Sequence, residues 1–148
     1  NIWQGAIPGC TWLDLCAGSG AMGAEALSRG AARVVGIEQL GKACGVIQAN
    51  WQSVAKPDQS FQVFKGSVMR QLSRLHGQQF DRIYFDPPYA SGLYDGVLGA
   101  IAAHQLLAPQ GEIAVEHCSS HWQPSDIAGL TLIRQKRYGT TELAFYSK

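Results

Sequence analysis

Residues 11–23 read Thr11-Trp12-Leu13-Asp14-Leu15-Cys16-Ala17-Gly18-Ser19-Gly20-Ala21-Met22-Gly23, and this stretch decides the fold. Residues 11–16 are a short, mostly apolar run that breaks at Gly18 and Gly20, as a buried strand ending in a tight turn does. Residues 21–29 are rich in Ala, Leu, Met and Glu, which favour a helix, and Gly30 stands where a left-handed C-terminal cap belongs. Strand, glycine turn and helix in this order form the opening unit of an α/β sheet, whose ligand lies at the C-terminal ends of the strands.

The same alternation continues downstream. Residues 33–38 read as a second strand, and Cys44, Ile47, Trp51 and Val54 recur at spacings of three and four, an apolar stripe on a helix that stops before Pro57. A third strand is expected over 61–65, and Val68, Leu72 and Leu75 at helical spacing mark the helix after it. Residues 80–85 form a fourth strand closed by Asp86-Pro87-Pro88-Tyr89, and Leu93, Val97 and Ile101 mark a fourth helix. A fifth strand is expected over 112–116, then a hairpin of residues 130–136 and 142–146 around Gly139. This pattern predicts a mainly parallel sheet with helices on both faces, finished by an antiparallel hairpin.

Composition sets the bounds. A chain of 148 residues with 46% hydrophobic content and only 6 prolines can bury one core, and two substantial domains are not expected. The net charge of +1 creates no global field for nucleic acid or membrane, although Lys65, Arg70, Arg74 and Arg82 form one local basic cluster and Arg134, Lys136 and Arg137 another. Taken alone, either cluster reads as a solvated face. Cys10, Cys16, Cys44 and Cys118 contain no Cys-x-x-Cys pair, so reduced thiols and a soluble cytoplasmic protein are expected. His117 and His121 share i, i+4 spacing but fall at a strand-to-loop boundary, where joint metal binding is not expected. Trp3, Trp12, Trp51 and Trp122 read as core and rim packing, and Cys16 as a small packing residue rather than a nucleophile.

Three segments should converge at the strand ends. Gly18, Gly20 and Gly23 satisfy G-x-G-x-x-G, and Glu38 follows about 20 residues later, where a ribose-binding carboxylate belongs. That motif suits NAD and S-adenosylmethionine alike. Asp14 discriminates between them, because a carboxylate beside the turn repels a pyrophosphate but attracts the ammonium of an amino-acid moiety. The competing reading is that Asp14 only binds amides of the glycine loop or caps the following helix. Asp86-Pro87-Pro88-Tyr89 offers a carboxylate and a proline carbonyl that can both accept from one exocyclic amino group, with Tyr89 placed to stack on the base. Glu116 either touches the pocket or caps its loop.

Asp14 to Gly20, Gly36-Ile37-Glu38 and Asp86 to Tyr89 resemble the class I S-adenosylmethionine-dependent methyltransferases that modify base amino groups. More narrowly, Asp14-Leu15-Cys16-Ala17-Gly18-Ser19-Gly20, Glu25-Ala26-Leu27-Ser28-Arg29-Gly30-Ala31 and Arg137-Tyr138-Gly139-Thr140-Thr141 resemble the bacterial 16S ribosomal RNA guanine-N2 methyltransferases of the RsmD type. The resemblance implies a Rossmann-like class I methyltransferase fold with a seven-stranded sheet. It implies methylation of one guanine of 16S rRNA in an assembling small ribosomal subunit, by a monomer needing no metal and no membrane. It implies S-adenosylmethionine contacts at Asp14, Cys16, Ala17, Gly18, Gly20, Glu38, Ser67 and Asp86, and catalysis by Asp86, Pro87 and Tyr89.

Two departures accompany the resemblance. Ser67 follows Gly66 where the family carries an acidic residue on the adenine amino group, so that contact is expected either to weaken or to pass to the Ser67 backbone. Asn1-Ile2-Trp3 resembles the end of a helix that precedes the first strand in the family, so residues 1–148 are expected to be a single domain lacking its natural N-terminal segment. Three other functions remain open: a DNA adenine-N6 or cytosine-N4 methyltransferase, an NAD-dependent oxidoreductase, and a non-catalytic RNA-binding module.

Overall fold

Every strand and helix expected from residue 11 onward forms in the computed structural model, which describes residues 2–148. The order is β1 Thr11–Leu15, α1 Ala21–Ser28, β2 Arg33–Glu38, α2 Gly41–Val54, β3 Ser60–Lys65, α3 Val68–Arg74, β4 Phe80–Phe85, α4 Tyr94–Ala103, β5 Leu107–His117, β6 Thr131–Tyr138 and β7 Thr141–Ser147. They build a seven-stranded sheet in the order β3-β2-β1-β4-β5-β7-β6. The first five strands pair in parallel, and β7 enters antiparallel between β5 and β6. Strand order reverses between β1 and β4, which opens a crevice at their C-terminal ends.

Strand alternation divides the core in two. Leu13, Leu15, Val35, Ile37, Ile83 and Phe85 face α3 and α4, while Trp12, Val34, Tyr84 and Phe145 face α1, α2 and the N-terminal turns. Asp14 lies on the second face, paired in register with Gly36 on one side and Tyr84 on the other. Gly36 has no side chain for a packing reason, since a Cβ there would stand 2.6 Å from Trp51 Cη2. Trp51, fully buried on α2, thus drops its indole onto the sheet beside the crevice.

Three local expectations change. β5 begins at Leu107 rather than at 112, because its first residues pair with Phe80 across a register shift that the apolar pattern does not reveal. Only Ile47 and Trp51 of the α2 stripe are buried, and Val54 is partly exposed. Ile2 and Trp3 lie in a turn rather than a helix end, and Asn1 lies outside the described residues. Trp3 is buried, meets Trp12 edge to face at 5.3 Å, and donates its indole N–H to Glu112 at 3.0 Å. Among the described residues no helix is long and apolar enough to cross a membrane.

Candidate active site

The turn after β1 is shaped residue by residue. Cys16 adopts a left-handed φ of 58°, uncommon for a side-chain-bearing residue, and Gly18 follows at 60°. Space is open around Gly18 where a Cβ would stand, so a ligand can approach its backbone closely. Glu38, at the end of β2, holds this loop: its Oε1 accepts from the Gly18 N–H at 2.9 Å and its Oε2 from the Leu40 N–H at 3.0 Å. Each carboxylate oxygen keeps a further acceptor site.

Asp14 is buried, and its Oδ2 accepts from the Gly23 N–H in the first turn of α1 at 3.0 Å. The helix-binding reading of this residue therefore holds, yet its side also lines a cavity of about 800 Å³. Burial pushes its carboxyl up from 3.8 to about 8, opposed by the Gly23 hydrogen bond and reinforced by the negative charges of Asp86 and Glu38. Such a site disfavours a further anion and welcomes a cation, so the pyrophosphate of NAD is an ill match. Cys16 lines the same cavity, and burial with the charge of Glu38 lifts its thiol to about 12, which leaves it protonated and non-nucleophilic.

The cavity brings together Asp14, Cys16, Ala17 and Gly18 from the first turn, Glu38 from the second strand, and Asp86 and Pro87 from the end of β4. Ile37, Leu40 and Val68 give it apolar walls. Desolvation, followed by a hydrogen bond and repulsion from Glu116, raises the Asp86 carboxyl to about 7. Tyr84, buried between these acids, donates its hydroxyl to Glu116 Oε2 at 3.0 Å.

Residues 1–147 match the family described as "Conserved hypothetical protein 95". The chain belongs to that family. It is 32% identical over 138 residues to a Bacillus subtilis strain 168 protein provisionally named rRNA methyltransferase YlbH, spanning 92% of this chain and 74% of that one. Ribosomal RNA small subunit methyltransferase D of Escherichia coli K12 is 31% identical over 143 residues, spanning 92% of this chain and 67% of its own length. A solved conserved hypothetical protein from Streptococcus pyogenes superposes with a TM-score of 0.84 at 34% identity, covering 95% of this chain and 88% of that one. The fold is that of S-adenosylmethionine-dependent methyltransferases, one of which was solved in complex with S-adenosylhomocysteine.

Three residues expected in the site are not part of the cavity lining. Gly20 is absent from the cavity lining; its carbonyl accepts from Trp51 Nε1 at 2.8 Å, and a Cβ on it would stand 2.9 Å from Ile47 Cγ2, so it serves the contact between α1 and α2. Ser67 caps α3 by accepting from the Arg70 N–H at 3.3 Å, and its neighbours Gly66 and Val68 reach the cavity instead. Tyr89 stands outside the cavity on an exposed surface, 41% accessible. Pro88 and Ser91 join the lining without having been expected there; only the ordering of the loop after β4 places them.

The remaining candidates behave as packing or paired charges. Arg134 bridges to Glu112 at 2.8 Å and Arg137 to Glu142 at 3.3 Å. His117 is buried edge-on against Trp122, and His121 is exposed in the following turn.

Proposed function

We propose that this chain, as a single domain acting as a monomer, transfers a methyl group from S-adenosylmethionine to the exocyclic N2 amino group of a guanine in 16S ribosomal RNA of an assembling small ribosomal subunit. The observation that carries this reading is the meeting of the Asp86-Pro87 turn with Asp14, Gly18 and Glu38 in one cavity. The name of the Escherichia coli relative, ribosomal RNA small subunit methyltransferase D, supports the substrate class.

The residues present fit the cofactor. Glu38 retains acceptor sites for ribose hydroxyls, the buried Asp14 carboxylate answers an ammonium, and Ile37, Leu40 and Val68 offer apolar contact to an adenine ring. S-adenosylmethionine supplies a methyl carbon made electrophilic by its sulfonium, the sulfur keeping the electron pair of the broken C–S bond. An exocyclic amino group is a poor nucleophile, since its lone pair is delocalised into the base ring. Acceptance of its hydrogens by the Asp86 carboxylate and the Pro87 carbonyl draws the nitrogen toward tetrahedral geometry and frees that lone pair for attack. Asp86 then takes the proton that the nitrogen loses as the N–C bond forms. Tyr89, exposed beside the turn, stacks on the base and fixes its plane.

Calorimetry of the chain against S-adenosylhomocysteine, with NADH as comparator, tests the cofactor. Incubation with labelled S-adenosylmethionine and unmethylated small subunits, followed by mass spectrometry of the nucleosides, tests the product. Saturable binding of S-adenosylhomocysteine alone and formation of N2-methylguanosine are expected. Binding of NADH alone, or a methyl group on adenine or cytosine, overturns the reading.

A further inference from the structure

The pairing of β4 with β5 sets a second acceptor beside Asp86. Phe85 pairs with Val115 in parallel register, so Asp86 and Glu116 are the next residues on adjacent strands, which run about 4.8 Å apart. Glu116 is held twice: Tyr84 donates its hydroxyl to Oε2 at 3.0 Å, and Tyr94 donates to the Glu116 carbonyl at 3.3 Å. Both tyrosines are buried, Tyr84 stacking on Trp12 at 6.4 Å and Tyr94 on Trp122 at 4.5 Å, so the carboxylate has a fixed orientation. Beyond the Tyr84 hydroxyl, the hydrogen-bond partner of the Glu116 carboxylate is the Asp86 carboxyl, whose proton the two acids share. Glu116 lies outside the cavity lining and next to Asp86, and with Asp86 and burial it makes the Tyr89 hydroxyl less acidic.

We infer that Glu116 selects guanine, its Oε1 accepting the guanine N1–H in place of the proton it shares with Asp86, while Asp86 accepts from the N2 amino group. This rests on the guanine-N2 reading above and assigns the source of its base specificity. Guanine alone among the RNA bases with an exocyclic amino group places a ring N–H donor next to that group. Adenine and cytosine place a ring nitrogen lone pair there, which would face the Glu116 oxygen acceptor against acceptor. A site that must hydrogen-bond one donor rejects an analogue lacking it far more strongly than a purely apolar pocket rejects a change of size. The lowered acidity of Asp86, caused after burial by a hydrogen bond and repulsion from Glu116, accords with two carboxyls placed side by side by the strand register.

The test uses small subunits reconstituted on 16S RNA carrying, at the methylated position once located, either guanine or 2-aminopurine. The analogue keeps the amino group but replaces N1–H with a ring acceptor. The unaltered protein should favour guanine by about tenfold or more in kcat/KM. In Glu116→Gln the amide oxygen keeps the Tyr84 bond, so the amide N–H₂ stands at the former Oε1 position and donates to 2-aminopurine N1. That variant should lose or reverse the preference while binding S-adenosylhomocysteine as tightly as the unaltered protein, which reports an intact fold. Equal losses on both RNAs, or no preference in the unaltered protein, overturn the role of Glu116 and leave guanine methylation standing. No transfer to the guanine RNA by the unaltered protein overturns both.

Discussion

The Gly23 N–H donates to Asp14 Oδ2 at 3.0 Å, so one buried carboxylate ties the end of β1 to the first turn of α1 and still borders the cavity. Burial raises this carboxyl from 3.8 to about 8. The folded chain therefore holds this proton more tightly than the unfolded chain. Its contribution to stability is fully present below about pH 3.8 and is lost as pH rises toward 8. An ammonium-bearing ligand prefers the ionised form, so affinity for S-adenosylhomocysteine should rise across that interval and level off above about pH 8. Asp14→Asn should melt higher than the unaltered protein at about pH 8, while its affinity for the ligand falls roughly tenfold to a hundredfold, the worth of a charged hydrogen bond. Calorimetry and thermal melts across pH check both signs, and a variant that melts lower and binds normally contradicts the assignment.

Glu38 does two tasks with one carboxylate. It fixes the glycine loop through Gly18 and the start of α2 through Leu40, and it is proposed to accept ribose hydroxyls. Glu38→Ala removes both, so cofactor affinity should fall by about 1.5 to 3 kcal/mol or more with little change in secondary structure. Glu38→Gln, whose amide can replace only one acceptor, should fall between. An unchanged dissociation constant for Glu38→Ala would sink the role.

Strand alternation and helical spacing are local, and for that reason β1, β2 and β4 were legible nearly to the residue. Convergence of Asp14, Glu38 and Asp86 was also legible, because parallel strands expose all their C-terminal ends along one edge. Contacts between distant segments were not. Nothing near Gly20 in sequence indicates that its carbonyl is taken by Trp51, and nothing near Glu116 indicates the Tyr84 hydroxyl. The side-chain role of Ser67 was hidden for a different reason: Ser before a helical run serves equally as a cap, and its hydroxyl forms that cap.

Asp86 is proposed to receive a proton, and that requires its ionised form. With its carboxyl raised to about 7, kcat/KM should increase as pH rises through that value and reach a plateau above it. Asp86→Asn should reduce transfer by about a hundredfold to ten-thousandfold and abolish that acid limb, leaving affinity for S-adenosylhomocysteine nearly unchanged. Glu116→Gln removes a cause of the raised Asp86 pKa, so its limb should move to lower pH. A pH profile of methyl transfer with all three proteins decides the matter. An acid limb that survives Asp86→Asn shows that another group titrates.

The third glycine of the fingerprint is explained by Trp51 rather than by the cofactor. A Cβ on Gly23 would stand 2.3 Å from Trp51 Cζ2 and 2.7 Å from Cε2, and the indole is fully buried with Phe61 edge-on at 6.0 Å. It cannot swing away without giving up the Nε1 bond to the Gly20 carbonyl. Gly23→Ala should therefore destabilise by about 1 to 3 kcal/mol, the usual cost of an extra buried methyl in a packed core. Trp51→Phe removes part of the six-membered ring that the new methyl would strike, at its own cost of packing and of one hydrogen bond. The double variant should be more stable than the sum of the two single losses predicts, because each change relieves part of what the other damages. Denaturant melts of all four proteins measure this coupling, and simple additivity would mean that the steric contact with Trp51 is not what requires glycine at this position.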